Sequence, residues 1–287
     1  MEFFVFLPQS RLGVEQVVAR ALAAERLGFS GMAFMDHLVT PMAEGQDLWE
    51  AMTLATWVAA RTTTLRIGHL VLCDAFRHPA VLAKQVATLD SASGGRFEVG
   101  LGWGSWPSEL TGFGITEAGP AARAARLADT VRTLSALWAG EPVRQDGPRQ
   151  VPVPTTRPTL VVGGAGPTAL ALAREHADWW NLPAPDLHRL AELRGQVGRA
   201  RVSVQQMVAL QQPDDVGGAS VARARRHFGH LGAGLVAGTA AELRAHFVDL
   251  EGQGVDRVYV WFPDQAPEQT LEAFAHAVLA PLGSTSS

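Results

Sequence analysis

Eight short apolar runs recur along the chain, and an amphipathic stretch follows each of them without a long break. The runs are FFVFL (3–7), GMAFM (31–35), LRIGHLVL (65–72), RFEVGL (96–101), PTLVVGG (158–164), DWWNL (178–182), RVSVQQMVAL (201–210) and DRVYVWF (256–262). Their length and β-branched or aromatic content read as buried strands. Between them, GVEQVVARALAAERLGF sets Val14, Val17, Val18, Ala21 and Leu22 on one helical face. Helices are also expected over 48–60, 79–93, 121–138, 167–177, 186–198, 220–232, 239–254 and 267–282. Strand and helix in strict alternation mean parallel strands, as an open doubly wound sheet or a closed barrel. Eight units in succession favour a (β/α)8 TIM barrel, and 287 residues suit one such domain over 1–287. The Pro-rich stretch 139–158 and the stretch 212–220 read as loops, with an insertion or lid over the C-terminal face near 212–235.

Composition narrows the function. A net charge of −4 lacks the basic excess of a nucleic-acid binder. No apolar run approaches the ~20 residues needed to span a bilayer, and MEFFVFLPQS is broken by Pro8, so a cytoplasmic protein with no membrane partner is expected. Cys73 is the one cysteine, which excludes an intrachain disulfide and a cysteine zinc cluster. The histidines have no HExxH spacing, so no metal site is expected. No G-x-S-x-G elbow is present, and Lys84 is the only lysine, which leaves little room for Schiff-base chemistry.

In a barrel, function gathers just past the C-terminal ends of the strands. Asp36 and His37 stand there after the second run, Cys73 and Asp74 after the third. The loop GLGWGSWPSEL (100–110) follows the fourth with Trp103, Gly104, Ser105, Trp106 and Glu109. Glycines there permit close approach of a ligand to the backbone, and the tryptophans could lie against something flat or plug the barrel mouth. GGAG (163–166) stands between the fifth strand and a helix, where free N–H groups and the helix dipole suit a phosphate, or where a plain tight turn would do. Asn181 ends the sixth run. Asp36-His37 reads as a buried ion pair, a helix cap or a proton-transfer group near neutral pH.

Taken in order, AERLGFSGMAFMDH (24–37), AARTTTLRIGHLV (59–71), HPAVLAKQVATLDSASGGRFEVGLGWG (78–104), RPTLVVGGAGPTALALAREHADWWN (157–181) and VAGTAAELRAHFVDLEGQGVDRVYV (236–260) resemble the bacterial luciferase-like monooxygenase superfamily. The Asp36-His37 pair and the GLGWG…E…FG loop look most like its branch of oxidoreductases dependent on the deazaflavin coenzyme F420. The resemblance implies a barrel holding a flavin or deazaflavin at its C-terminal face. The ring would lie on a bulge at Leu70, Val71 and Leu72 with a non-prolyl cis peptide at Leu70–Val71. Asp36, Trp103, Gly104 and Asn181 would complete the cofactor site, and Gly163, Gly164, Ala165 and Gly166 would hold its phosphate. The implied catalytic set is His37, Asp36, Trp106 and Glu109. One departure is Ser105, where sugar-phosphate dehydrogenases of this branch carry a catalytic carboxylate. Glu25, Asp90 and Arg96 match family positions away from the ring, and Gly238-Thr239 reads as a helix cap. The implied reaction is hydride transfer between F420 and a small organic substrate. Alternatives are an FMN/FMNH2-dependent monooxygenase using O2 and supplied by a separate flavin or F420 reductase, or a non-catalytic flavin-binding barrel. The family resemblance also implies a homodimer.

Overall fold

The computed structural model describes residues 1–284 apart from Met42, Glu44, Glu117, Pro213, Asp214 and Val216. Among the described residues, ten strands share one parallel sheet: β1 (Glu2–Leu7), β2 (Gly31–Phe34), β3 (Arg66–His69), β4 (Leu72–Cys73), β5 (Phe97–Gly102), β6 (Thr159–Gly163), β7 (Trp179–Leu182), β8 (Arg201–Leu210), β9 (Leu235–Gly238) and β10 (Arg257–Trp261). The order β1-β2-β3-β5-β6-β7-β8 closes through β10, which pairs with both β8 and β1. The result is the eight-stranded α/β barrel that the alternation implies.

The barrel is packed on both surfaces of its sheet. Outside, Val17, Val18 and Ala21 of helix Val14–Arg26, with their counterparts on the other helices, bury against the strands. Inside, Phe4, Phe6, Ala33, Leu70, Val161, Trp179 and Tyr259 form a second apolar cluster. Near the N-terminal mouth Arg257 is fully buried. Its guanidinium lies 3.9 Å from the Phe4 ring centre and 3.8 Å from that of Trp179. It donates to Glu98 at 2.5 and 3.0 Å and to Glu2 at 2.9 Å. The aromatic faces and carboxylates together replace the water this charge has lost.

Four local features differ from the sequence expectation. The run 65–72 is two strands, β3 and β4, because the chain bulges between them at a cis Leu70–Val71 peptide. β9 was not expected; its four residues follow a 3-10 turn and pair with the overhanging end of β8, Met207–Leu210. The helix expected over 186–198 is a 3-10 turn (Ala184–Arg189), one α-turn (Leu190–Leu193) and a second 3-10 turn (Arg194–Gln196). A short helix, Pro107–Gly112, starts inside the glycine-tryptophan loop with Pro107 in its first turn, where its missing N–H costs nothing.

The insertion near 212–235 is helix Ala219–Phe228, a 3-10 turn (Gly229–Gly234) and the start of β9; Pro213, Asp214 and Val216 lie outside the described residues. None of its described residues lines the cavity at the barrel mouth, and its β9 extends the sheet beside β8. Glu25 and Arg96 are fastenings of the opposite end. Glu25 accepts the N–H groups of Thr63, Thr64 and Leu65, and Arg96 donates to Ala59, Thr62, Leu65 and Ser93 carbonyls. Thr239 caps helix Ala240–Gly252 in a reciprocal pair with Glu242.

Candidate active site

A cavity of about 560 Å³ opens at the C-terminal ends of β2 to β8. Its floor is the bulge Leu70-Val71-Leu72, and the Val71 side chain sets what its neighbours can be. A Cβ on Gly102 would stand 2.6 Å from Val71 Cγ2, and one on Gly163 would stand 3.0 Å from Val71 Cγ1. A Cβ on Gly100 would meet the His69 carbonyl oxygen at 1.9 Å. Glycine at 100 is therefore a packing requirement, and a side chain at 102 or 163 would have to displace Val71 from the bulge.

The sequence neighbours Asp36 and His37 do not pair with each other; each has a different partner. Asp36 is buried, accepts the Cys73 N–H at 2.8 Å and takes a two-pronged bond from Arg77 at 2.6 and 3.0 Å. It pins the end of β2 to the strand beyond the bulge. Arg77 also reaches Glu50. Burial raises the Glu50 pKa, but the Thr53 amide and Arg77 outweigh it and bring it to about 2. Arg77 and Glu50 were missed from sequence: the one signal is that an aspartate buried at a strand end requires a cation, and nothing in the sequence says which.

His37 turns instead to Glu109. Its Nδ1 lies 2.8 Å from Glu109 Oε2, while Glu109 Oε1 accepts the N–H groups of Leu38 at 2.6 Å and Val39 at 3.0 Å. A carboxylate accepts only, so the geometry places an imidazole proton on Nδ1, and in the neutral ring the lone pair is the one on Nε2. Nε2 has no partner among the described residues, and His37 lines the cavity. The Trp106 ring stands edge-on to His37 with centres 6.1 Å apart. Trp103 and Trp106 both line the cavity, and Trp103 also packs on the main core. Ser105 lines the same wall.

Across the cavity, Gly163, Gly164, Ala165 and Gly166 lead into helix Pro167–His176. The Gly164 N–H is already bonded to the Asn181 carbonyl at 3.0 Å. This corrects the expectation that Gly164 offers its amide to a phosphate; the amides of Ala165 and Gly166 remain, with no partner among the described residues. A Cβ on Gly166 would meet nothing within 4 Å, so the space above this turn is open. The buried Asn181 side chain lies 3.2 Å from the Ser203 hydroxyl and lines the cavity between this turn and the bulge.

Burial pushes the Cys73 thiol up to about 11, which keeps it protonated. The buried ring of His69, behind the bulge, makes no well-formed hydrogen bond at either nitrogen. Burial drives its pKa down to about 4, against the Ala51 backbone and the Asp36 charge. Among the described residues, no group of three or more His, Cys, Asp or Glu is placed to hold a metal ion.

The fold is that of a (β/α)8 barrel with its cavity at the C-terminal mouth, and the comparisons give the family. Residues 1–206 match the family described as luciferase-like monooxygenase, and the chain belongs to that family. It is 30% identical over 176 residues to an F420-dependent glucose-6-phosphate dehydrogenase of Microbacterium testaceum, covering 58% of this chain and 52% of that one. It is 30% identical over 193 residues to an F420-dependent hydroxymycolic acid dehydrogenase of Mycobacterium tuberculosis, covering 64% and 53%. These matches span about half the length of the curated relatives. A solved F420-dependent secondary alcohol dehydrogenase, in complex with an F420-acetone adduct, superposes with a TM-score of 0.79 at 17% identity over 97% of this chain and 98% of that one.

Proposed function

We propose that the chain is an oxidoreductase that binds coenzyme F420 and exchanges a hydride with a small organic substrate. The observation that carries this reading is the His37–Glu109 pair beside a flat-floored cavity. The F420 dependence named for the relatives of Microbacterium and Mycobacterium supports the choice of cofactor. The residues suit such a group. The bulge at Val71 gives a planar ring an apolar bed, and the open space at Gly166 beside two free amides suits an anionic tail.

Bound F420 would supply or accept the hydride. The protein's part is binding and proton handling. Leu70, Val71 and Leu72 support the ring, Ala165 and Gly166 take the tail, and the Asp36–Arg77 bond holds the bulge in register. His37 Nε2 accepts the proton of a substrate hydroxyl, or returns it to a carbonyl oxygen. Glu109 orients the imidazole and stabilises its protonated form. Asp36, read from sequence as catalytic, acts through the bulge; Glu109 acts through His37.

Spectral titration with F420 and with FMN tests the proposal. Saturable binding of F420, with FMN weaker, is expected. Tighter FMN binding, with oxygen consumed when reduced flavin is supplied by a reductase, would replace it with the monooxygenase reading; binding without turnover would leave a flavin-binding barrel. We also propose a homodimer. Val81, 53% exposed, lines a groove between helices Ala51–Ala59 and Pro79–Ser93, and Trp57, 46% exposed, lines a second groove with Val14 and Trp49. Among the described residues no helix is long and apolar enough to cross a membrane.

A further inference from the structure

A second cavity, of about 350 Å³, lies between the overhanging end of β8, helix Ala219–Phe228 and the segment that follows β10. It shares no lining residue with the cavity at the barrel mouth. Its walls are largely apolar, with Val208 and Phe262, both buried, beside Leu210, Ala224 and Phe228. Ser220, Arg223 and His227 line it from the helix at spacings of three and four, which sets them in one row. A helix face turned towards the body of a protein is ordinarily apolar. This one carries a cation at its middle turn, over a hollow.

The Arg223 guanidinium makes no hydrogen bond or ion pair among the described residues. The acids near it are occupied. Asp215, which it attracts through space, accepts the N–H groups of Ala219 and Ser220, each at 2.9 Å, and the Ser220 hydroxyl. Asp264, which also lines the cavity, accepts the Ala266 N–H at 3.1 Å and the Thr270 hydroxyl at 2.5 Å. His227 turns Nδ1 to the Arg223 carbonyl at 2.9 Å. A carbonyl accepts only, so a proton sits on Nδ1, and in the neutral ring Nε2 brings a lone pair and no charge. Arg225, on the same helix, donates instead to the Ala237 carbonyl at 2.9 Å. The cavity thus offers one guanidinium beside apolar walls, and two nearby carboxylates that would repel a second negative charge.

We propose that this cavity binds a small monocarboxylate with an apolar body. The carboxylate takes a two-pronged bond from Arg223, whose planar fork matches its two oxygens. The body lies against Leu210, Phe228 and Phe262. The site is independent of the hydride-transfer reading.

The test is isothermal titration calorimetry of the full chain with 4-phenylbutyrate, 4-phenylbutylamine, 4-phenylbutyl phosphate and acetate. One-to-one binding of 4-phenylbutyrate is expected. Acetate should bind at least about tenfold more weakly, for want of apolar surface to bury, and the amine should not bind. Arg223→Gln should raise the Kd for 4-phenylbutyrate at least about tenfold by removing the charge-assisted bonds. Arg223→Lys should recover part of that loss, and Arg226→Gln, which removes the same charge from a residue outside the cavity wall, should leave the Kd unchanged. The side chain at 223 is exposed, so the unfolding midpoint of each variant should match the parent. No heat of binding, an amine or phosphate that binds tighter than the carboxylate, binding that survives Arg223→Gln, or an equal loss in Arg226→Gln would overturn the proposal.

Discussion

Replacing Glu109 by glutamine changes one atom in a site where three hydrogen bonds fix which atom it must be. Oε1 receives two amides, at 2.6 and 3.0 Å, and Oε2 faces His37 Nδ1 at 2.8 Å. Glutamine has a single oxygen, and the two amides claim it. Its NH2 group is then left facing Nδ1, which must accept, and the imidazole proton moves to Nε2. The side chain facing the substrate becomes a donor where oxidation of an alcohol needs an acceptor. Loss of a positioned general base typically slows a reaction ~10²–10⁴-fold, or about 3–5 kcal/mol of barrier. Folding should suffer less, by about 1–2 kcal/mol, since all three contacts survive in neutral form. The assay is single-turnover stopped-flow absorbance of bound F420 at saturating cofactor, in the direction of alcohol oxidation. His37→Ala should lose a similar factor and the double variant no more than His37→Ala alone, because the two side chains act as a unit. Glu109→Gln within threefold of the parent rate, or losses that multiply in the double variant, would refute the argument.

Gly166→Val should weaken F420 binding at least about tenfold in the spectral titration with the unfolding midpoint unchanged, because its Cβ meets no protein atom within 4 Å. Gly164→Val is a poorer probe: at φ +127 and 3.3 Å from the Ala169 Cβ it should lose stability as well. His69 holds no proton in the folded protein until about pH 4, whereas the unfolded chain takes one near the usual 6.5. Its contribution is therefore complete above pH 6.5 and lost as pH falls towards 4, on the order of 3 kcal/mol in all; His69→Leu should flatten that part of the stability–pH curve in urea titrations, and parallel curves would count against it. Arg257→Met should cost about 1–3 kcal/mol, because the buried Glu98 loses two hydrogen bonds from Arg257 and keeps the one from Arg66 at 3.2 Å, and no measurable loss in the same titrations would contradict the account.

The barrel was legible because its signal repeats. Each apolar run is long enough to distinguish from its helix, and eight of them leave few other topologies. What escaped were elements without a period of their own. β9 is four residues between a turn and a cap, and the 3-10 turns at 184–196 carry the same Leu187, Leu190, Leu193 spacing as an ordinary helix. The candidate site was legible as a set of residues but not as a set of pairs. Proximity in the chain joined Asp36 to His37; the fold joins Asp36 to Arg77 and His37 to Glu109, 72 residues on. Side chains that follow one another at a strand end point in different directions, and which long-range partner each finds depends on loops whose course no local pattern encodes. The glycines show the same limit: GLG reads as room for a ligand to approach the backbone and GG as a phosphate turn, whereas Cβ atoms at Gly100, Gly102 and Gly163 would also crowd Val71 or the His69 carbonyl.

The interior below Val71 is solid. Phe4, Trp179 and Tyr259 fill it, and Arg257 with its carboxylates blocks the far end. The cavity is thus closed from below, and traffic through it has an order. A molecule that rests on the floor must arrive before anything that rests above it, and cannot leave until the upper occupant has gone. Two occupants of this site queue, last in and first out.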